Sequence, residues 1–232
     1  YARFYFTKND PTPRFYALLL AFTGAMLGVL LSGNVILMVV FWELTSLISF
    51  LLIGFKSSYP AARDGARTAL VVTGAGGLCL LVAMLILGRI AGSYEIERIL
   101  AAGDTIRASS MYIPALILFL LAAFTKSAQF PFHFWLPGAM AAPTPVSSFL
   151  HSATMVKAGV FLLIRFSPAL GGTTSWFVIV TGIGMLTLVM SAFIALYRHD
   201  MKGLLAYSTI SHLGLITALA GINTQAAIVA AI

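Results

Sequence analysis

The sequence predicts an all-α integral membrane protein, a polytopic helical bundle in which one helix is broken at prolines. Three observations carry this prediction. Of 232 residues, 60% are hydrophobic and only 9% are charged, against roughly a quarter charged in soluble domains. The apolar residues fall in long blocks, several reaching the about 20 residues that cover about 30 Å of hydrocarbon. One block also contains Pro131 and Pro137, each of which removes a backbone donor and crowds the preceding turn. In lipid every backbone polar group needs an internal partner, so these blocks form helices.

Seven membrane segments follow along the chain. The first covers about Arg14–Ser32, after the turn-forming Asp10-Pro11-Thr12-Pro13. Gly33 alone separates it from the second, Asn34–Phe55, which predicts a tight hairpin. The third, about Gly65–Ile90, contains Gly74, Ala75, Gly76 and Gly77, small residues whose expected meaning is close helix packing. Ala91–Ser110 is the longest hydrophilic stretch and is expected to be a polar loop. The fourth segment, Met111–Met140, is too long for one straight crossing. A helix over about Met111–Phe130 is expected, then a break at Pro131 and a shorter half, the freed backbone facing protein or a hydrated cavity. The fifth segment is Pro145–Phe166, the sixth Trp176–Tyr197 and the seventh Met201–Ile222, after which Asn223 and Thr224 turn into an eighth. The chain starts at Tyr1 and stops at Ile232 in an apolar run that has just begun, so a piece of a longer membrane protein is expected, one membrane domain over 1–232.

The formal charge of +7 does not point to nucleic acid, because the basic residues sit at helix ends and in short loops rather than in a patch. Their distribution gives an orientation. With Tyr1–Pro13 in the cytoplasm, that side holds Arg3, Lys8, Arg14, Lys56, Arg63, Arg67, Arg198 and Lys202, against Arg89, Arg98, Arg107 and Arg165 opposite. Cys79 is the only cysteine, so no intramolecular disulfide and no metal site are expected. There is no phosphate loop, no nucleophile elbow and no metal-spaced Cys or His pair. No cofactor and no soluble-enzyme site are therefore expected.

Three charges lie where lipid disfavours them. Glu43 is in the middle of the second segment, Lys126 about fifteen residues into the fourth, and Lys157 about twelve into the fifth. An ionisable group at mid-bilayer costs about 2.5–3.5 kcal/mol on insertion scales. A structural Glu–Lys lock is one reading, but two lysines and one glutamate leave an excess cation, and lysine is a flexible, strongly hydrated point charge. Lysine does change protonation state readily, since burial disfavours its charge and a nearby carboxylate favours it. A proton-conducting path through Glu43, Lys126 and Lys157 is the stronger reading. His151 shares a helix with Lys157, His133 follows the Pro131 break, and His212 lies within the seventh segment. Imidazoles can relay a proton through two nitrogens, so these are further candidates. Asp200 is placed as a helix N-cap and Arg165 as a snorkelling anchor at a helix end.

Four stretches stand in order between positions 41 and 214: FWELTSLISFLLIGF, KSAQFPFHFWLPGAM from Lys126 to Met140, HSATMVKAGVFLLIR and DMKGLLAYSTISHLG. Together they resemble the antiporter-like membrane subunits shared by Mrp-type multisubunit Na+/H+ antiporters and the L, M and N subunits of respiratory complex I. The Glu43-Leu44-Thr45-Ser46 wording and Lys157 are most similar to the large A subunit of the Mrp type. The resemblance implies a piece of a fold of about fourteen helices with two inverted five-helix repeats, the first over 14–166 and the second starting at 176–232. Glu43 matches the family's fifth-helix glutamate, Lys126 the lysine beside the broken seventh helix, and Lys157 and His151 the eighth-helix motif. It further implies a proton-translocating subunit of a monovalent cation (Na+)/H+ antiporter, a secondary transporter subunit rather than a catalyst. Its expected partners are other membrane subunits, protons, sodium and the lipid bilayer, in a bacterial inner membrane. The alternative is a proton-pumping subunit of a complex I-type NADH:quinone oxidoreductase or a related membrane hydrogenase.

Overall fold

A computed structural model describes residues 2–6 and 10–231, with backbone alone for Arg3, His151, Ser152, Gln225, Ile228 and Ala231. Lys8 lies outside the described residues. The seven membrane segments stand in the predicted order: α1 (Thr12–Leu31), α2 (Val35–Ile53), α3 (Pro60–Ala91), α4 (Tyr112–Lys126), α5 (Thr144–Leu170), α6 (Thr174–Leu196) and α7 (Met201–Ile222). All but α4 are long and apolar enough to cross a bilayer. The chain is therefore an all-helical, multi-pass membrane protein.

The helix ends follow local chemistry. Asn34 caps α2, its side chain accepting from the N–H groups of Ile36 at 2.9 Å and Leu37 at 3.4 Å. Asp200 caps α7 as predicted, accepting from Gly203 N–H at 2.6 Å. Asn223 leaves α7 in the left-handed region, φ 54°, and a further helix begins over Gln225–Ala231.

The stretch expected as a polar loop instead holds two short helices, Ile96–Ala101 and Gly103–Ala108. Ile96, Ile99 and Ile106 are buried, and these three apolar anchors explain why the stretch folds down onto the bundle. Backbone bonds from Ile96 N to Gly33 O (2.7 Å) and from Val35 N to Tyr94 O (2.9 Å) stitch it to the α1–α2 turn.

On this same side, two arginines bind helix C-termini, where carbonyls lack intrahelical donors. Arg107 donates to Pro168 O at 2.7 Å and Ala169 O at 3.2 Å, at the end of α5. Arg165 donates to Leu30 O at 2.9 Å and Ser32 O at 3.3 Å, at the end of α1. Arg165 is thus a cap for a neighbouring helix rather than a snorkelling side chain. The capping gives these two arginines a structural reason to sit on this side.

The predicted break is present, but α4 stops at Lys126 rather than Phe130. At 15 residues α4 is about 22 Å long, short of a full crossing. Ala128 turns through the left-handed region (φ 51°), and the chain resumes as a single turn over Phe132–Phe134 and the short helix Trp135–Ala139. Pro131 has no N–H and biases the residue before it away from the helix, so the last α4 turn has nothing to propagate into. Trp135 Nε1–H donates to Thr125 O at 2.9 Å and ties the two halves together. In α5, residues Ser147–Thr154 form a wide π-type stretch before the regular helix from Met155. Such stretches are frequent at functional sites.

Candidate functional site

Lys126 is the last residue of α4 and is fully buried, 0% exposed. Its ammonium lies against α2. It donates to Thr45 Oγ1 at 2.7 Å, Ser46 Oγ at 2.8 Å and Trp42 O at 3.3 Å, and sits 5.0 Å from the centre of the Trp42 ring. Three oxygens fit the three ammonium donors, and the ring face adds a cation–π contact. Thr45 and Ser46 are themselves buried and also bond Trp42 O, at 2.7 Å and 3.4 Å.

Glu43 neighbours Trp42 on the same helix, but its carboxylate points towards α3. Among the described residues it forms no ion pair with Lys126, so a structural Glu–Lys lock is not made. Glu43 Oε1 is buried without a hydrogen-bond partner. It lies against the bare backbone of Gly77, where a Cβ would overlap it, while the adjacent Gly76 similarly accommodates Thr125 Oγ1. The glycine cluster is therefore more than a packing surface. Gly77 seats the carboxylate and Gly76 seats the end of α4, whereas Gly74 faces open space. On its outer side Glu43 lines a crevice of about 330 Å³ with Val40, Leu44, Leu47 and Leu70.

The other candidates are not drawn into this cluster. Lys157 is exposed and lines a groove of about 580 Å³ between α5 and α7, with Arg165, Leu213 and Ile216 among the lining residues. The side chain of His151 lies outside the described residues. His133 is half-buried beyond Pro131 with its ring 6.0 Å from that of Phe130, and among the described residues its Nδ1 has no hydrogen-bond partner. His212 faces outward from α7, its Nδ1 2.8 Å from Ser208 O. Neither histidine bonds Lys126 or Lys157 among the described residues. The helical period sets these residues on different faces, something position along a segment does not show.

The break contributes polar groups of its own. Ser127 Oγ donates to Val156 O on α5 at 2.7 Å, one residue before Lys157. Gln129 is fully buried, with its Oε1 unpartnered. Phe130 N–H donates to Thr187 Oγ1 on α6 at 2.9 Å. Ser127 and Thr187 were not singled out from the sequence, and Gly77, Thr45 and Ser46 were named there only for packing or for the resemblance. Hydroxyls in membrane helices ordinarily bond their own preceding turn and so announce no distant partner.

Residues 32–232 match the family described as "NADH:quinone oxidoreductase/Mrp antiporter, TM". Over its full length the chain is 62% identical to a Rhizobium meliloti (strain 1021) protein named as a probable K(+)/H(+) antiporter A/B subunit, of which it covers 23%. It is 52% identical over 94% of its length to "Putative antiporter subunit mnhA2" of Staphylococcus aureus (strain MRSA252), covering 27% of that protein. The chain thus spans about a quarter of the length of these relatives. Among solved structures it is similar to a chain of the Mrp complex from Dietzia sp. DQ12-45-1b, with TM-score 0.88 and 46% identity, covering 93% of this chain and 24% of that one. An archaeal membrane-bound sulfane sulfur reductase shares the fold, with TM-score 0.86 at 24% identity over 97% of this chain and 46% of that one. The broken α4, its terminal buried lysine and the glutamate-bearing α2 are set within this shared fold, and the chain belongs to the NADH:quinone oxidoreductase/Mrp antiporter transmembrane family.

Proposed function

We propose that this chain is the proton-translocating part of a multisubunit monovalent cation/proton antiporter of a bacterial inner membrane. Protons pass between Glu43 and Lys126, and Lys157 with His151 carries them onward. The observation that supports this reading most is Lys126: a fully buried ammonium at a helix break, held by neutral oxygens with no carboxylate paired to it among the described residues. A lysine locked in a salt bridge would keep its proton. Lys126 has burial opposing its charge and three oxygens with an aromatic ring favouring it, so the two states can be brought close in energy. A change of charge at Glu43, on the helix that carries those oxygens, tips that balance.

Among the described residues, buried side-chain atoms without a hydrogen-bond partner include Trp42 Nε1 and Glu43 Oε1 on α2 and Gln129 Oε1 and His133 Nδ1 at the break. Such atoms are where water finds bonding sites. Exchange of this kind can be driven electrically, since one charge moved across 100 mV is worth about 2.3 kcal/mol. Other membrane subunits complete the complex, and the two repeats inferred from the sequence, 14–166 and the start of the second at 176–232, frame the path.

The test uses inside-out vesicles containing the complete complex with an acidic lumen. Addition of K+ or Na+ should dissipate the pH gradient in the wild type, while Lys126→Ala and Glu43→Gln should each lose most of the response. Wild-type exchange by an assembled Lys126→Ala complex would overturn the proposal. Flavin and iron–sulfur absorbance in the purified native complex would instead make the chain part of a redox-driven pump.

A further inference from the structure

Beyond Lys126 the backbone must turn back on itself inside the bilayer, and each of its polar groups needs a partner there. The N–H groups of Ser127, Ala128, Gln129 and Phe132 find theirs locally, on Ala123 O, Thr125 O, Phe124 O and Gln129 O. Pro131 has none to place. Phe130 N–H alone in this segment bonds outside it, to Thr187 Oγ1 at 2.9 Å. Thr187 is fully buried and is oriented for the task, because its own hydroxyl hydrogen is given to Ile183 O one turn earlier at 2.7 Å. Its lone pair is thereby left facing the break. The helix that carries it is fixed in turn. Gly184 and Gly214 let α6 and α7 meet backbone to backbone, and Lys202 on α7 bonds Met140 O at 3.1 Å and Ala142 O at 3.0 Å, just beyond the far half of the broken helix.

We propose that Thr187 is a positioning residue for Lys126: by accepting the Phe130 N–H it holds the break so that the Lys126 ammonium stays on Thr45 and Ser46. This rests on the reading of Lys126 as a proton carrier. The anchored amide lies four positions beyond the lysine. Without the acceptor the break must re-form around a buried orphan donor, and the end of α4 moves with it. Glu43 on α2 and His133 beyond the break are the other titratable groups on this route; the His133 ring lies 6.0 Å from that of Phe130, so Thr187→Val is repeated in a His133→Gln background, where the inference requires the shifted profile to persist.

The experiment measures cation-driven proton exchange as a function of pH in vesicles containing the complete complex, with the amount of assembled complex determined for each variant. Thr187→Val keeps the shape and removes the acceptor. It should lower the exchange rate about tenfold and shift the pH profile by about half a unit or more. Thr187→Ser restores the acceptor and should match the wild type in both. Thr217→Val, at a buried hydroxyl with no partner, should also behave as wild type. An assembled Thr187→Val complex with the wild-type rate and profile overturns the inference, and so does Thr187→Ser with the defect of Thr187→Val. If Thr187→Val does not assemble, Thr187→Ser against Thr187→Cys decides, since a thiol is a weak acceptor. The inference requires a shifted profile for Cys alone, and equal profiles overturn it. Lys126→Ala runs alongside. If it keeps wild-type exchange, the proton-carrier reading fails; if it is inactive while Thr187→Val is unaffected, only the role of Thr187 fails.

Discussion

Thr45 and Ser46 lie within one helical turn of Trp42, so α2 presents all three oxygens that hold Lys126 from a single face. Replacing them together by Val and Ala should leave the ammonium with one oxygen and the Trp42 ring. Hydrogen bonds to a charged group contribute about 1.5–3 kcal/mol each, so proton-coupled exchange should fall by at least about tenfold. Vesicle assays at matched complex levels check this. Gly77→Ala should displace the Glu43 carboxylate and alter the pH profile of exchange, while Gly74→Ala, with open space around it, should not. At this scale the sequence showed what lipid makes expensive and little else. Glu43 and Lys126 stood out as charges in apolar blocks. Their partners did not, because a hydroxyl or a glycine in a membrane helix has an ordinary packing explanation.

The elements were legible where their punctuation is strong. The Asp200 cap and the turn at Asn223 fall where the residues foretold, and α7 has the predicted bounds. The Asp200 cap should be worth about 1 kcal/mol. Asp200→Ala should therefore lower the thermal midpoint of the detergent-solubilised complex slightly and leave the pH profile unchanged. The broken helix was legible from its prolines, but its end was not. Apolar Ala128 and Phe130 continue a helical pattern, and only the turn at Ala128 takes the chain out of it. The two halves are held together by Trp135 on Thr125 O. Trp135→Phe removes that bond while keeping an aromatic ring, and should lower stability by about 1–3 kcal/mol. Denaturation of the solubilised complex monitored by tryptophan emission measures the loss. The two short helices after α3 escaped notice because six residues carry too little periodicity to register.

For the whole molecule, the order and number of membrane segments follow from hydropathy alone, whereas the assembly of their faces does not. Lys157 shows the difference, being mid-segment in the sequence yet turned to the groove between α5 and α7 rather than to Lys126. The orientation read from the basic residues gives a direct expectation. In a Cys79→Ser background, a cysteine at exposed Ser58 should react with an impermeant maleimide from the cytoplasmic side only, and one at exposed Glu97 from the opposite side only. The reverse pattern would invert the assignment of both ends of the path.

In the proposed proton-carrier role Lys126 has to be reloaded in every cycle, and the pair of hydroxyls around it bears on how far anything must travel to do so. Each can direct its hydrogen towards Trp42 O, as it does beside the ammonium. Once the lysine has given up a proton, either hydrogen can swing round to the lone pair of the neutral amine. The same oxygen is then a receiver in one half of the cycle and a giver in the other. A carboxylate in that place could only receive. Loading and unloading of the lysine thus need the rotation of a hydroxyl and no displacement of a helix, which leaves larger movements free to govern access from either side of the membrane.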